Sequence, residues 1–168
     1  MPIVVLYIAV SIDGFITKPD GDSSVIDSFG KIDYGFGEFF KSVDTIITGR
    51  IAFTSGKKPE PRYRGKKIIV LTNRSLSEEG IIFTSIAPKR IIEEFCSDSK
   101  KIWLAGGGKV ATAFLNAGLI DEIKLLIVPV CLGKGIRLFH DGLKETHFQL
   151  RQSMQFENGT VMVDFLKR

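Results

Sequence analysis

Residues 3–10 read Ile-Val-Val-Leu-Tyr-Ile-Ala-Val, apolar at every position with no polar alternation. A strand of this kind is apolar on both faces and must be covered on both, which is the condition of a strand inside a parallel or mixed sheet with helices above and below. The chain repeats the pattern at 44–49 (DTIITG), 66–74 (KKIIVLTNR), 100–108 (KKIWLAGGG) and 122–133 (EIKLLIVPVCLG). Pro129 in the last run predicts an edge or a bulge there.

Between these runs the period changes to that of a helix. Phe36, Phe39, Phe40 and Val43 fall on one helical face, with Gly35 and Gly37 weakening its start. Ile91, Ile92 and Phe95 form a second stripe within 87–98, and Val110, Ala113, Phe114 and Ala117 a third; RIAFTSG from Arg50 is a possible further helix. Near the end the period becomes two. Phe148, Leu150, Met154 and Phe156 precede Asn158-Gly159, and Val161, Val163 and Phe165 follow it, which predicts a hairpin with a turn compatible with type I′. Strands alternating with helices imply parallel pairing. The expected fold is α/β: a mixed, mainly parallel sheet flanked by helices, with a C-terminal antiparallel hairpin. No linker or repeat divides residues 1–168, so a single domain is expected, large enough to bury about two thirds of its unfolded surface.

Composition removes several functions. With 44% hydrophobic and 25% charged residues the chain is ordinary for a globular domain. The net charge of +4 is carried by scattered pairs, Lys57/Lys58, Lys66/Lys67 and Lys100/Lys101, which read as solvated surface at element boundaries rather than a nucleic-acid footprint. Cys96 and Cys131 sit in apolar contexts and read as small buried hydrophobes; no spacing suggests zinc, and His140 and His147 are isolated surface or packing residues. The first apolar run lacks a preceding basic region and is too short to span a bilayer, so a reduced cytoplasmic location is expected.

In a parallel sheet the carboxyl ends of the strands share one edge, where ligands bind. Ser11 and Asp13 follow the first run, Gly49 and Arg50 the second, Thr72, Asn73, Arg74 and Ser75 the third, and Gly106, Gly107 and Gly108 the fourth. Consecutive glycines let a backbone approach a ligand, and the helix after them offers unpaired N–H groups and a positive dipole end, which together favour an anion; the alternative is a tight strand-to-helix turn. GGGKV lacks the Walker spacing. GGGKVA matches G-x-G-x-x-A formally, but it follows the fourth strand and no acidic residue ends the next, so the Rossmann signal is weak. Arg50 and Arg74 on the same edge add two groups that pair bidentately with phosphate. A pyrophosphate plus one further phosphate is the charge pattern of NADPH.

The stretches IVVLYIAVSIDGFI, DYGFGEFF with VDTIITGR, KKIIVLTNR and IWLAGGGKVATAFLNAGLIDEIKLLIVPVCLGKG resemble, in this order and over essentially the whole chain, the dihydrofolate reductase-like proteins grouped with the C-terminal reductase domain of bifunctional riboflavin-biosynthesis enzymes. The resemblance implies a dihydrofolate reductase-like fold, NADPH as hydride donor, a small heterocyclic substrate and often a homodimer. It implies that Ala105, Gly106, Gly107, Gly108, Lys109 and Val110 line the pyrophosphate, that Gly49 and Arg50 lie beside the cofactor phosphates, that Thr72, Asn73 and Arg74 lie near the adenosine side, and that Ala9 and Ser11 approach the nicotinamide. Two departures stand out. Ala52 occupies the place of a usual Thr, which removes one hydroxyl contact to phosphate, and Val25 and Ile26 stand near the place of a usual Trp.

Hydride transfer to C=N or C=O must be followed by a proton, which nominates Asp33 and Asp13 as catalytic carboxylates. Asp33 also suits a helix cap, and in dihydrofolate reductases an acidic residue at a similar place holds the heterocycle; Asp13 also suits a turn. Phe36, Phe40 and Phe53 are candidates to wall a planar substrate or to pack the core. The substrate alternatives are a ribosylamino-pyrimidine phosphate of the riboflavin pathway and a dihydrofolate-like pterin. The reading from a different class is a non-catalytic nucleotide- or nucleic-acid-binding domain.

Overall fold

The computed structural model describes residues 1–55, 63 and 65–168, so the Lys57/Lys58 pair lies outside the described residues. The elements run β1 (Ile3–Ser11), β2 (Phe15–Thr17), α1 (Ser24–Asp27), α2 (Phe36–Ser42), β3 (Thr45–Gly49), α3 (Arg50–Ser55), β4 (Lys67–Leu71), β5 (Ile81–Thr84), α4 (Pro88–Phe95), β6 (Lys101–Leu104), α5 (Gly108–Asn116), β7 (Glu122–Val128), β8 (Ile136–Arg137), β9 (Phe148–Gln155) and β10 (Val161–Lys167). Eight strands form one sheet in the order β5-β4-β3-β6-β1-β7-β10-β9. The first six are mutually parallel. β10 pairs antiparallel with β7 and with β9, so the expected terminal hairpin extends a mainly parallel sheet.

The all-apolar first run explains its own central place. β1 lies between β6 and β7, and its alternate residues feed two cores. Val4, Leu6 and Val10 join Ile91, Ile92, Ala111, Phe114 and Leu115 of α4 and α5 on one face. Val5 and Tyr7 join Tyr34, Phe39 and Val43 around α2 on the other. Complete burial of one such side chain contributes about 1.5–3 kcal/mol. Leu6, Ile47, Ile69 and Leu104 of the strands and Phe114 of α5 are all fully buried, so the core is built where α5 lies on the sheet.

The structure corrects several expectations. Pro129 lies one residue beyond β7, an interior strand, so it marks the strand's end and neither an edge nor a bulge. The hairpin turn is not type I′: Asn158 keeps a negative φ and Gly159 alone is left-handed at +80°. The Phe156 N–H bonds the Thr160 carbonyl at 2.9 Å and the Gly159 N–H bonds the Phe156 carbonyl at 2.9 Å, the pattern of a three-residue loop closing on a glycine. Cys96 is buried as expected, and burial pushes its thiol up to about 11, but Cys131 is exposed because the strand has ended before it. The Lys66/Lys67 pair is not a simple solvated surface. Lys66 Nζ donates to the Phe40 carbonyl at 3.0 Å and to that of Val43, and Lys67 Nζ donates to the Phe95 carbonyl at 2.8 Å, so each lysine closes the end of a helix. No helix among the described residues is long and apolar enough to cross a membrane.

Candidate active site

Registers place the site before any side chain is considered. Gly49 pairs with Leu71 and Ile47 with Leu104, so Arg50, Thr72 and Ala105 each leave the sheet at nearly one level. β1 pairs with β6 only as far as Leu6 with Leu104, and its remaining residues to Ser11 rise past the glycine triplet alongside β7. The carboxyl ends of β4, β3, β6 and β1 are therefore neighbours, as parallel pairing required.

The triplet is fastened from below. The Gly106 carbonyl accepts the Gly49 N–H at 2.9 Å and the Thr48 hydroxyl at 3.2 Å, and the Ala105 N–H donates to the Ile47 carbonyl at 2.9 Å. Each glycine is there for a different reason. Gly106 has φ +99°, and a Cβ on it would lie 2.8 Å from Ile8 Cδ1. A Cβ on Gly108 would lie 2.1 Å from the Arg137 carbonyl oxygen and 2.6 Å from His140 Nε2. Both are glycines because of the chain's own packing. A Cβ on Gly107 would meet nothing within 4 Å, and its φ of −51° with ψ of 176° is open to any residue. Only this glycine leaves room in front of the backbone. Gly107 is also the N-cap of α5 and supplies no side-chain cap, so the first-turn amides of Gly108, Lys109 and Val110 are not capped from the protein by a side chain. Sequence reasoning had treated the three glycines as one device; packing divides them.

The other nominated residues separate on inspection. Gly49 belongs with the triplet: a Cβ there would stand 3.2 Å from Val110 Cγ2 and 3.9 Å from the Gly107 nitrogen. Val110 itself is in the core, leaving only its backbone at the loop. Arg50 opens α3, half-buried, while Lys109, Asn73 and Arg74 are exposed and Thr72 accepts the Arg74 N–H at 3.1 Å. Ser11 is 1% exposed, and its hydroxyl is used locally, donating to Asp13 Oδ1 at 2.6 Å and accepting the Phe15 N–H at 2.9 Å. Its side chain is a turn fastener rather than a group free to meet a ligand. Asp13 also accepts the Leu132 N–H at 3.0 Å and the Gly133 N–H at 2.7 Å. The Ser11 hydroxyl, then these two amides, hold its carboxyl down at about 2, so it is ionised and latched between two loops instead of poised as a proton donor.

On the opposite face from α5, a cleft of about 480 Å³ opens over Ala9, Leu126 and Val128, walled by Ile26, Phe29, Ile32 and Phe36. Asp33 lines this cleft and also accepts the Gly37 N–H at 3.1 Å, so the cap and the cleft-facing positions coexist. Of the three phenylalanines nominated as walls, Phe36 lines the cleft; it also packs against Tyr7, Phe40 and Trp103 with ring centroids 5.3, 5.7 and 5.0 Å apart. Phe40 stacks behind it, and Phe53, half-buried, packs on Phe83 at 6.3 Å. Sequence reasoning missed Thr48 as the tie on Gly106, and Tyr7 and Tyr34 as cleft walls; Tyr7 lay inside a run read only as strand. Tyr7 donates to the Tyr34 carbonyl at 3.0 Å, and burial first, then the nearby Asp33 charge, push its phenol well above the ordinary range. Among the described residues no group of three or more metal-ligating side chains forms.

An uncapped helix end behind a glycine with open space suits an anion, and an apolar cleft on the other face of the sheet, with Asp27 and Asp33 among its lining residues, suits a planar ligand. The chain is 36% identical over 158 residues to the uncharacterized protein YwjB of Bacillus subtilis (strain 168), covering 90% of this chain and 91% of that one. It is 24% identical over 163 residues to riboflavin biosynthesis protein RibD of Corynebacterium ammoniagenes, covering 86% of this chain but 48% of that larger protein. Its fold superposes on the crystal structure of a putative riboflavin biosynthesis protein from Shewanella sp. PV-4 with a TM-score of 0.85 at 22% identity, over 98% of both chains. The model of the RibD C-terminal domain matches residues 2–162, nearly the whole of the sheet and both of its helical layers, and on that match the chain belongs to the RibD C-terminal domain family, a reductase family of riboflavin biosynthesis.

Proposed function

We propose that this protein is an NADPH-dependent reductase of a small planar heterocycle of the pyrimidine or pterin kind, akin to the reductase step that makes riboflavin precursors. The observation that carries the reading is the division of the triplet: Gly106 and Gly108 are accounted for by internal packing, whereas Gly107 faces open space at an uncapped helix N-terminus. The residues fit a dinucleotide. The backbone at Gly107, Gly108, Lys109 and Val110, with Gly49 alongside, would hold the pyrophosphate, Arg50 the neighbouring phosphate, and Thr72, Asn73 and Arg74 the adenosine side, where a second arginine favours the extra phosphate of NADPH.

The bound dinucleotide would supply a hydride. Ala9, whose methyl group lies in the floor of the cleft, leaves space for two flat rings to meet there. The apolar walls would pack against the ring, and Asp33 would accept a ring N–H and relay to the reduced atom a proton drawn from solvent. Asp13 acts at a distance, fixing the ends of β1 and of the loop after β7. Ala52 supplies no hydroxyl to phosphate, so Arg50 and the amides carry that end of the cofactor alone. A homodimer in the reducing cytoplasm belongs to the same reading; light scattering is expected to return twice the chain's 18.6 kDa.

A ligand that binds only the native state at about 100 times its Kd adds about 2.7 kcal/mol of stability. For a chain of this size that raises Tm by about 5–10 °C. NADPH at millimolar concentration is expected to give such a rise, NADH a smaller one, and Arg74→Glu to abolish the difference. No rise with either nucleotide overturns the cofactor reading. Salt-sensitive binding of an oligonucleotide without nucleotide-dependent stabilisation would favour the non-catalytic alternative.

A further inference from the structure

We propose that the C-terminal hairpin turn shapes the cleft over β1 and β7: Asn158 and Tyr34 are positioning residues that hold the wall carrying Asp33 in place over the floor. The role rests on the reductase reading for what the cleft receives. The wall is built by residues 28–35, which lie between α1 and α2 and belong to neither. Phe29, Ile32, Asp33 and Tyr34 of this stretch line the cleft. A segment outside strand and helix depends on side chains for part of its fastening.

Three segments hold Tyr34, which is 5% exposed. From the floor, the Tyr7 hydroxyl of β1 donates to the Tyr34 carbonyl at 3.0 Å, and Tyr7 is itself fixed, its carbonyl accepting the Trp103 indole N–H at 3.0 Å. Within the wall, the Tyr34 hydroxyl donates to the Phe29 carbonyl at 2.6 Å and so closes residues 29–34 on themselves. From the hairpin, Asn158 Nδ2 donates to the Tyr34 hydroxyl oxygen at 2.6 Å, and the Phe156 ring meets the Tyr34 ring edge to face with centroids 4.6 Å apart. A hydroxyl that both donates and accepts is oriented more firmly than one with a single partner. Asp33 directly precedes this fastened residue in the chain, so the place of its carboxyl follows from the place of the Tyr34 backbone. Tyr7 and Tyr34 also line a second hollow, of about 330 Å³, in which Lys124 and Arg151 are paired with Asp164 and Glu122, so the two tyrosines divide that hollow from the cleft.

Turn geometry does not account for Asn158. Its φ is not left-handed, so the backbone does not call for asparagine there. Its side chain is used at both ends instead: Oδ1 accepts the Thr160 N–H at 3.1 Å, and Nδ2 reaches Tyr34. Aspartate at this position would keep the first bond and lose the second. Phenylalanine in place of Tyr34 would keep the contact with Phe156 and lose the bonds to Phe29 and Asn158. The two substitutions therefore remove one tie from its two ends, which lie 124 residues apart in the chain.

The test measures, by calorimetry on the full chain, binding of biopterin and of 5-aminouracil with and without saturating NADPH, and of NADPH alone. The proteins are the parent, Asn158→Asp, Tyr34→Phe and the double variant. Each single variant is expected to bind the heterocycle that the parent binds about tenfold more weakly, with NADPH affinity within about twofold of the parent. Because both substitutions remove one tie, the double variant is expected to lose little more than the weaker-binding single variant, whereas losses at independent sites would multiply. A purely structural role would lower the urea midpoint and leave the affinities of the folded protein unmoved. Asn158 lies half-buried in a surface turn, so Asn158→Asp decides alone if Tyr34→Phe does not fold. Unchanged heterocycle affinity in Asn158→Asp overturns the proposal. So do equal losses for the heterocycle and for NADPH, multiplied losses in the double variant, and failure of both heterocycles to bind the parent at millimolar concentration. If NADPH does not bind but a heterocycle binds without it and shows the expected losses, the cofactor reading fails and this one stands; if NADPH binds and neither substitution moves the heterocycle, the reverse is true.

Discussion

At the residue scale, the glycine triplet shows how one sequence motif can contain three separate constraints. Gly108 is fixed by the Arg137 carbonyl 2.1 Å from where a Cβ would sit, and nothing but a backbone shift relieves that contact. Gly108→Ala is expected to cost about 3 kcal/mol in urea denaturation, at the upper end of ordinary overpacking. Gly107→Ala adds a methyl group to open space at an allowed φ, so stability should stay within about 0.5 kcal/mol of the parent. If the pyrophosphate lies where proposed, the same methyl group stands in its way, and NADPH should bind about tenfold more weakly, about 1.4 kcal/mol. A Gly107→Ala protein with unchanged NADPH affinity would move the cofactor away from this loop. Asp13 teaches a related point. SIDGF offered a turn and a ligand contact with equal ease, and only the approach of Leu132 and Gly133, 119 and 120 residues away, shows where its oxygens are used.

At the element scale, the terminal hairpin is more than an extension of the sheet. Asp164 on β10 faces Lys124 across the pairing with β7, and Arg151 of β9 reaches the same carboxylate. Asp164 is 2% exposed, so the three strands are joined by a buried charge with two cationic partners. Removing one partner of a buried pair leaves the other uncompensated, at a cost of about 3–5 kcal/mol. Asp164→Ala is therefore expected to lower the unfolding free energy read from urea denaturation by about 3–5 kcal/mol, with Lys124→Met in the same background recovering part of it. A loss below about 1 kcal/mol would show that the pair is no more than a surface interaction. This network was not legible in advance: VMVDFLK sets Val161, Val163 and Phe165 at even spacing, and a core chosen on that period leaves Asp164 on the other face. The short strands β2, β5 and β8 were missed for a similar reason. They have three, four and two residues, too few for a period to register; β5 adds to the edge of β4, and β2 and β8 pair with each other in a separate two-stranded sheet.

At the scale of the whole molecule, acid stability follows from carboxylates that are held ionised. Asp13 and Asp22 are drawn down to about 2 from 3.8, Asp13 chiefly by the Ser11 hydroxyl and Asp22 chiefly by Lys18, and Asp98 is lowered by Lys67. A carboxyl whose folded value lies below its unfolded value stabilises above the unfolded value and loses that contribution as pH falls through the folded one. Tm is expected to be flat from neutral pH to about 5 and to fall between about 4 and 2, with a shallower fall in Asp13→Asn. The sheet that these loops decorate was largely readable. β3, β4, β6 and β7 lie inside their apolar runs and β1 overruns its own by one residue, Ser11, because a strand covered on both faces can tolerate almost no polar residue, and that leaves a mark in any sequence. The ends of the runs were less readable: Thr72 to Arg74 of the third, Ala105 to Gly107 of the fourth and Pro129 to Gly133 of the last turned out to be loop.

By itself, then, the sequence determined the α/β layering, the parallel order that brings Gly49, Arg50, Thr72 and Gly107 to one edge, and the terminal hairpin, since each depends on local periodicity and on general rules of strand connection. Tertiary structure alone decided which glycine faces open space, which aspartate is latched and which lines a cleft, and where the cations of the second hollow are matched. Those outcomes depend on atoms brought within about 3 Å of each other from distant parts of the chain, and hydrogen bonds and close packing at that range leave no periodic trace in the sequence.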